Sequence, residues 1–253
     1  MPFSVRPRLK SGIDYPGKFI SYPGVEYSSG TRRIAMSKPV LVIGNKNYSS
    51  WSLRPWLLLK HLGVDFDEVR IPLYVEGMKE RILEYSPAGK VPVYIDGGVV
   101  VWESLAIMEY LAESYSGVWP AGKEARAAAR SVAAEMHAGF AALRDKMPNN
   151  ARAVGRQITV TPGVAKDVER VIEIWETSRR DYGSGGPWLF GKFSAADAMY
   201  APVAFRFRTY GVTPSGLAGE YMQTVLADTH MRDWLRAGEE EAEVLEFNEV
   251  GRG

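Results

Sequence analysis

The stretch from residue 39 to residue 115 alternates short apolar runs with segments of helical periodicity, and this order limits the folds open to it. Short β-branched runs predict buried strands, and leucines that recur on one side of a segment predict a helix. The predicted strands cover residues 39–44, 66–73, 91–95 and 99–102, and the predicted helices cover 52–62, 78–85 and 104–115. Asp96-Gly97-Gly98, between the last two runs, is a strong hairpin signal. The expected order is therefore β-α-β-α-β-β-α.

After this stretch the pattern is helical. Residues 116–123 read SGVWPAGK, and the Gly and Pro residues there interrupt the preceding pattern. Helices are predicted over residues 124–147, 164–182, 194–208, 218–227 and 230–242. The element order before the break is the plan of the thioredoxin fold. We therefore expect an α/β, thioredoxin-like domain (βαβαββα) over residues 37–116, a linker over 117–123 and an all-α domain over 124–238.

The two ends of the chain differ from the middle in charge. Residues 1–36 carry six Lys or Arg against two acids and show no helical or strand period, so we expect a flexible N-terminal extension. It is either an organelle-targeting peptide or an upstream extension of a chain whose natural start lies near Met36. Residues 239–253 carry six Glu against one Arg, and we expect a solvated acidic tail there.

Composition excludes several classes of function. The chain has no cysteine, which rules out disulfides, thiolate metal sites and a cysteine nucleophile. Its three histidines lie far apart in the sequence, which argues against a histidine metal cluster. A net charge of +1 gives no reason to expect nucleic acid or a membrane as a partner. No apolar run reaches the roughly 18–20 residues that span a bilayer, so the sequence predicts no membrane-spanning helix.

The turn between the first strand and the first helix holds four hydroxyl groups, those of Tyr48, Ser49, Ser50 and Ser52. In a thioredoxin-like layout the reactive group lies at this turn, because the free N–H groups and the positive end of the helix dipole stabilise an anion. A thiolate has a lowered pKa at such a position. Since the chain lacks cysteine, any thiolate has to arrive on the substrate. The alternative is that the serines only cap the helix, with Ser52 placed best to do so.

Two further motifs begin a strand and a helix. Lys90-Val91-Pro92 opens the third strand, where a proline is tolerated. A cis bond would leave the Val91 backbone available to a peptide ligand, and an ordinary trans proline is the alternative. Glu103 and Ser104 open the last helix of the domain, with Ser104 placed as the N-cap. The Ser104 hydroxyl and the helix N–H groups could hold a carboxylate, and Glu103 an ammonium group, although a simple cap would use the same residues.

Taken together, these motifs resemble the cytosolic glutathione transferases over about residues 38–238. The resemblance is to the serine-type classes, nearest to zeta-like bacterial members. It departs from the zeta class where Trp51 stands in place of cysteine and Leu53 in place of tryptophan. The residues that carry it are Ser49-Ser50-Trp51-Ser52-Leu53-Arg54, Lys90-Val91-Pro92, residues 103–111 and residues 190–197, the last of which resembles the buried capping box of the family, with Ser194 and Asp197 as its partners.

The resemblance implies glutathione as a co-substrate, no metal, and a homodimer that transfers the glutathione thiolate to small hydrophobic electrophiles. It implies that Ser49 activates the thiol, with Ser50 and Tyr48 as the runners-up. The glutathione-binding residues that it implies are Lys90, Val91, Pro92, Glu103 and Ser104.

The sequence alone does not determine which residues contact the electrophile or which type of reaction the protein catalyses. Candidate contacts to the electrophile are Trp51, Met136, Phe140 and Met147. The last three share one face of a predicted helix, for which core packing is the alternative interpretation. Besides conjugation, the alternatives are a glutathione-dependent isomerase of the maleylacetoacetate type, a reductive dehalogenase, and a non-catalytic binding or interaction protein.

Overall fold

A computed structural model describes residues 38–252 of the chain. The expected N-terminal extension over residues 1–36, with its possible start at Met36, lies outside the described residues.

The first half of the described chain is a four-stranded sheet with three helices. The strands are β1 (Val40–Ile43), β2 (Asp67–Arg70), β3 (Val93–Asp96) and β4 (Val99–Trp102), and the helices are α1 (Ser50–His61), α2 (Met78–Leu83) and α3 (Ser104–Ser114). The strand order is β2-β1-β3-β4. β1 pairs with β2 in parallel and with β3 antiparallel, and β3 pairs antiparallel with β4 across the Gly97-Gly98 turn. The predicted order βαβαββα is confirmed.

The second half is helical, as predicted. Its helices are α4 (Lys123–Ala138), α5 (Ala141–Lys146), α6 (Pro162–Tyr182), α7 (Ala195–Tyr210), α8 (Gly216–Ala227) and α9 (Thr229–Glu239), with short 3-10 turns at Gly183–Gly185 and Glu246–Asn248. The predicted linker, residues 117–123, falls between α3 and α4 except for Lys123, which is the first residue of α4.

The prediction of one continuous helix over residues 124–147 is wrong. The helix breaks between α4 and α5, where Phe140 has a left-handed backbone with φ of 62°. The Arg144 guanidinium satisfies the carbonyl groups released at the break: Nε donates to Gly139 O at 3.0 Å, and Nη2 donates to Met136 O. A local side-chain contact therefore stabilises a break that the helical period does not indicate.

The two halves share one hydrophobic core. Helix α1 lies against α7, and the largest fully buried side chains include Trp175, Trp234 and Tyr94. Helix α7 begins with the predicted capping box, in which the Asp197 carboxylate accepts from Ser194 N at 2.8 Å. Because α1 carries the hydroxyl-rich turn at its start, this shared core fixes that turn against the helical half.

The prediction of a solvated acidic tail over residues 239–253 is wrong for two of its glutamates, although Glu239, Glu240 and Glu246 are exposed as expected. Glu241 and Glu249 are buried, and Glu249 pairs with Arg156 at 2.5 Å. Farther along, Gly251 O accepts a backbone hydrogen bond from Gln157 N at 3.2 Å. The segment 240–252, called the C-terminal segment below, folds back onto the protein. Cations and backbone N–H groups from elsewhere in the chain pair with the buried carboxylates of Glu241 and Glu249.

Candidate active site

The hydroxyl-rich turn begins where β1 ends and leads directly into α1. Ser49 is the N-cap of α1, since its Oγ accepts from Ser52 N at 3.3 Å. The Oγ atoms of Ser49 and Ser52 are 2.8 Å apart, and Ser52 Oγ also accepts from Gly44 N at 3.0 Å. The prediction that Ser52 caps the helix is wrong, because α1 starts earlier, at Ser50. Ser49 thus holds its hydroxyl at the helix N-terminus, where N–H groups favour an anion.

The two other candidate hydroxyls have different surroundings. Ser50 Oγ accepts from Arg206 Nη2 at 3.4 Å. The Tyr48 hydroxyl donates to Glu249 Oε1 at 2.7 Å and accepts from Arg152 Nη2 at 3.1 Å. Burial, followed by the bond to Glu249, raises the pKa of Tyr48. The Tyr48 hydroxyl is therefore engaged with the C-terminal segment.

Asn47 anchors the turn, and sequence analysis missed it. The residue is fully buried. Its side chain donates to Asn150 Oδ1 at 3.0 Å and accepts from Arg152 N at 2.8 Å, while its backbone carbonyl accepts from Ala151 N at 2.9 Å and from Asn149 Nδ2 at 3.1 Å. The only signal in the sequence was the pair of polar clusters at residues 45–50 and 149–152.

The C-terminal segment and helix α9 contact the turn from the far end of the chain. The Glu241 carboxylate accepts from Lys46 N at 2.6 Å and from Asn47 N at 3.0 Å. Trp234 Nε1 donates to Lys46 O at 2.7 Å. Gly238 lies so close that a Cβ atom added there would be 3.0 Å from Asn47 N. The backbone of the turn is thus held by hydrogen bonds to residues nearly 200 positions away.

A cavity of about 370 Å³ opens beside α1. It brings together five of the residues singled out from the sequence and adds two that sequence analysis missed, Trp102 and His137. Its lining residues are Trp51, Lys90, Val91, Pro92, Trp102, Glu103 and His137.

The Val91–Pro92 peptide bond is cis, which settles the isomer that the sequence left open. The ladder between β1 and β3 starts at Val93, so the backbone of Val91 lies just before the paired residues. Lys90 and Val91 therefore line the cavity at the end of the sheet.

Glu103 and Ser104 lie at the start of α3. The prediction that Ser104 is the N-cap is wrong by one residue: Glu103 occupies the cap position with φ of 72°, and Ser104 is the first helical residue. A left-handed backbone is uncommon for glutamate, and such strain is often found at functional sites. Ser104 Oγ is buried and finds no hydrogen-bond partner among the described residues. A buried hydroxyl at a helix N-terminus with no partner is suited to a carboxylate ligand.

His137 adds a titratable group to the cavity. Its Nε2 lies 3.9 Å from Glu103 Oε2. Burial lowers the pKa of His137, and the nearby Arg54 lowers it further. His137 also meets the Trp51 ring edge-on, with 5.4 Å between the ring centroids.

Three of the four candidate electrophile contacts lie elsewhere. Met136, Phe140 and Met147 are at most 7% exposed, belong to the hydrophobic core and do not line the cavity. Core packing, the alternative named for them above, accounts for their positions. Trp51 is the candidate that lines the cavity.

Residues 38–252 lack two features that would point to other classes of function. They contain no group of three or more His, Asp or Glu side chains arranged to hold a metal ion. In the same residues, no helix is both long and apolar enough to span a bilayer.

Comparison with known families identifies the class to which this fold and cavity belong. The family model "Glutathione S-transferase, N-terminal domain" matches residues 48–114, and "Glutathione S-transferase, C-terminal domain" matches residues 124–237. The chain belongs to the glutathione S-transferase family.

Among curated relatives, a probable maleylacetoacetate isomerase of Caenorhabditis elegans is 36% identical over 110 residues, which are 43% of this chain and 50% of the relative. A zeta class glutathione S-transferase of Euphorbia esula is 35% identical over 80 residues, 31% of this chain and 36% of the relative. A dichloromethane dehalogenase of Methylorubrum extorquens is 47% identical over 58 residues, 22% of this chain and 20% of the relative. The matched stretches span about half the length of these relatives or less.

Solved structures share the fold over most of both chains. A glutathione transferase homolog from Burkholderia, with bound glutathione, aligns with a TM-score of 0.62 at 21% identity, covering 81% of this chain and all of that one. The Tau class glutathione S-transferase of mango aligns with a TM-score of 0.60 at 20% identity, covering 84% of this chain and 96% of that one.

Proposed function

We propose that this protein is a glutathione transferase, which binds glutathione in the cavity beside α1 and transfers its thiolate to an electrophilic carbon. The observation that carries the proposal is the cavity itself, which gathers Lys90, Val91, Pro92 and Glu103 from separate parts of the chain next to the start of α1. Membership in the family and the bound glutathione of the Burkholderia homolog support it.

Each part of glutathione has a complementary group in the proposed site. The γ-glutamyl carboxylate would accept from Ser104 and the N–H groups at the start of α3, and its ammonium would pair with Glu103. The backbone of Val91 would pair with the cysteinyl residue as an added strand. Lys90 would meet the glycine carboxylate.

The thiol would then lie at the start of α1. The Ser49 hydroxyl, which donates to Ser52 Oγ in this structure, would turn to donate to the sulfur and favour the thiolate over the thiol. Each unit by which the thiol pKa falls corresponds to about 1.4 kcal/mol. The thiolate attacks the electrophilic carbon, and the leaving group departs with the electrons of its bond to that carbon. Holding both reactants together supplies the remaining acceleration. Ser50 is the runner-up, and the engagement of Tyr48 with Glu249 favours a serine over tyrosine.

Similarity to the curated relatives supports two other glutathione-dependent reactions as alternatives, isomerisation of the maleylacetoacetate type and dehalogenation. Product analysis separates them, because an isomerase returns glutathione unconsumed. A binding or interaction protein with no turnover is the third alternative. We also infer a cytoplasmic homodimer with a small electrophile as second substrate, as the resemblance to the cytosolic members implies.

The test of the proposal is Ser104→Ala. Glutathione affinity measured by calorimetry should fall by roughly 1–3 kcal/mol, because a charged carboxylate loses one hydrogen bond. Stability should not fall, because Ser104 Oγ has no partner among the described residues. Ser114→Ala, an exposed change at the other end of α3, is the matched control.

Unchanged glutathione affinity in a folded Ser104→Ala protein would show that the site is misplaced. If the unaltered protein binds glutathione and yet consumes none with a panel of aryl halides, conjugation is the wrong reaction and the alternatives take its place.

A further inference from the structure

The thiol proton of glutathione has no acceptor in the mechanism described above. A hydrogen bond from Ser49 to the sulfur stabilises the thiolate, but a hydroxyl that donates its hydrogen does not remove the thiol proton. That proton either passes to solvent or moves to a base that lines the cavity. A base beside the sulfur would receive it directly.

His137 is the cavity-lining residue whose chemistry fits such a base. Indole rings and the side chains of valine and proline have no basic atom, and a protonated amine has no free lone pair. An ordinary carboxylate, with a pKa of about 4.3, is a weaker base than an ordinary imidazole, with a pKa of about 6.5. The other lining residues are Trp51, Lys90, Val91, Pro92, Trp102 and Glu103.

The His137 ring makes no hydrogen bond to residues 38–252. Its Nδ1 is buried and has no partner among them. Its Nε2 lies 3.9 Å from Glu103 Oε2, which is beyond hydrogen-bond distance. With its one hydrogen on Nδ1, the neutral ring therefore has a free lone pair on Nε2, and the side chain is 30% exposed where it lines the cavity.

The surroundings of His137 favour a neutral ring before glutathione binds. Burial lowers the pKa of His137 below the ordinary 6.5, and the charge of Arg54 on α1 lowers it further. Arg144 on α5 acts in the same direction, whereas Glu103, which precedes α3, opposes them. A neutral imidazole at pH 7 is ready to accept a proton.

His137 lies between the two helix starts to which the thiol and the γ-glutamyl group of glutathione are assigned. Its ring meets that of Trp51 edge-on at 5.4 Å, and Trp51 follows Ser49 by two residues at the start of α1. On the other side, Nε2 faces Glu103 at the start of α3. His137 itself lies in the last turn of α4, where the negative end of the helix dipole would stabilise an imidazolium.

We propose that His137 is a further catalytic residue, which accepts the thiol proton of bound glutathione at Nε2. The S–H bond breaks, its electron pair stays on the sulfur as the thiolate, and the proton forms an imidazolium at His137. Ser49 then donates to the thiolate from α1, and the Glu103 carboxylate faces the imidazolium. The inference rests on the proposed function and assigns the residue that completes its first step.

Proton counting in His137→Gln tests the assignment, because glutamine has no basic nitrogen. Calorimetry of glutathione binding at pH 7, in two buffers of different ionisation enthalpy, measures the protons released, and ultraviolet absorbance measures the thiolate formed. The unaltered protein should release fewer protons than it forms thiolates. In His137→Gln each thiolate should release one proton, and the apparent pKa of bound glutathione should rise by about one unit, which is roughly a tenfold fall in the ratio of thiolate to thiol.

Two controls isolate the thiol proton. S-methylglutathione carries no such proton, so the number of protons that it releases should be the same in the unaltered protein and in His137→Gln. His230→Gln is the same substitution on α9, at a histidine that lies against His61 and does not line the cavity, and it should leave the proton count with glutathione unchanged.

One proton released per thiolate by the unaltered protein overturns the inference without any variant, and so does an equal proton count in His137→Gln. Weaker binding of glutathione and S-methylglutathione alike, with the proton count unchanged, would make His137 a binding residue and also overturn it. In these cases glutathione still binds, and the proposed function stands. If the unaltered protein binds no glutathione, the proposed function fails and the inference fails with it.

Discussion

Replacing Glu241 with glutamine should destabilise the protein through the turn that precedes α1. The Glu241 side chain is 5% exposed, and its carboxylate accepts from Lys46 N at 2.6 Å and Asn47 N at 3.0 Å. Glutamine keeps one carbonyl oxygen for one of these N–H groups. Its amide nitrogen then faces the second N–H, which loses its acceptor in a buried site.

The size of the effect follows from opposing contributions. A hydrogen bond to a charged group contributes about 1.5–3 kcal/mol. The pair of Glu241 with Arg70, whose side chain is 36% exposed, adds at most about 1 kcal/mol. Against these, burial raises the pKa of Glu241, so the ionised carboxylate is itself disfavoured in the folded state, and glutamine avoids that cost. The net loss should be about 1–2 kcal/mol in the free energy of unfolding.

Urea unfolding at pH 7 measures this loss, with Glu240→Gln as the matched control. Glu240 is the adjacent residue and is exposed, so its change should stay within about 0.5 kcal/mol. If Glu241→Gln unfolds at the same urea concentration as Glu240→Gln, the bonds of the C-terminal segment to the turn do not stabilise the protein and our account of that segment is refuted.

Two other predictions concern the same turn. In the pH dependence of turnover with an aryl halide, Ser49→Ala should raise the apparent pKa of bound glutathione more than Ser50→Ala or Tyr48→Phe does. Turnover of Ser49→Ala should fall roughly tenfold to several hundredfold. A larger pKa shift for Tyr48→Phe would reassign the thiol activation to tyrosine. Burial alone would raise the pKa of Glu249, but the bond from Tyr48 and nearby cations lower it below the ordinary 4.5. Its stabilising effect should therefore be present above about pH 4.5 and lost as the pH falls through the lower folded-state pKa, and acid titration of Glu249→Gln monitored by circular dichroism should lack this loss.

Local patterns in the sequence determined the order of strands and helices and the position of the cavity-lining motifs. The hairpin at residues 96–98 and the break after residue 115 depend on neighbouring residues, and both lie where the sequence predicts them. Lys90, Val91 and Glu103 line the cavity because each lies just before a strand or a helix. The order of those strands and helices was predicted from the sequence.

Tertiary structure decided how charged and polar residues are used. The sequence pattern of residues 239–253 is the same whether its glutamates face water or backbone N–H groups, and the bond from Asn47 N to Glu241 joins residues 194 positions apart. Burial and long-range pairing are properties of the packed chain, because no local sequence pattern determines which charged side chain will be buried away from water. For the same reason only the fold brings Arg54 together with arginines from two other helices.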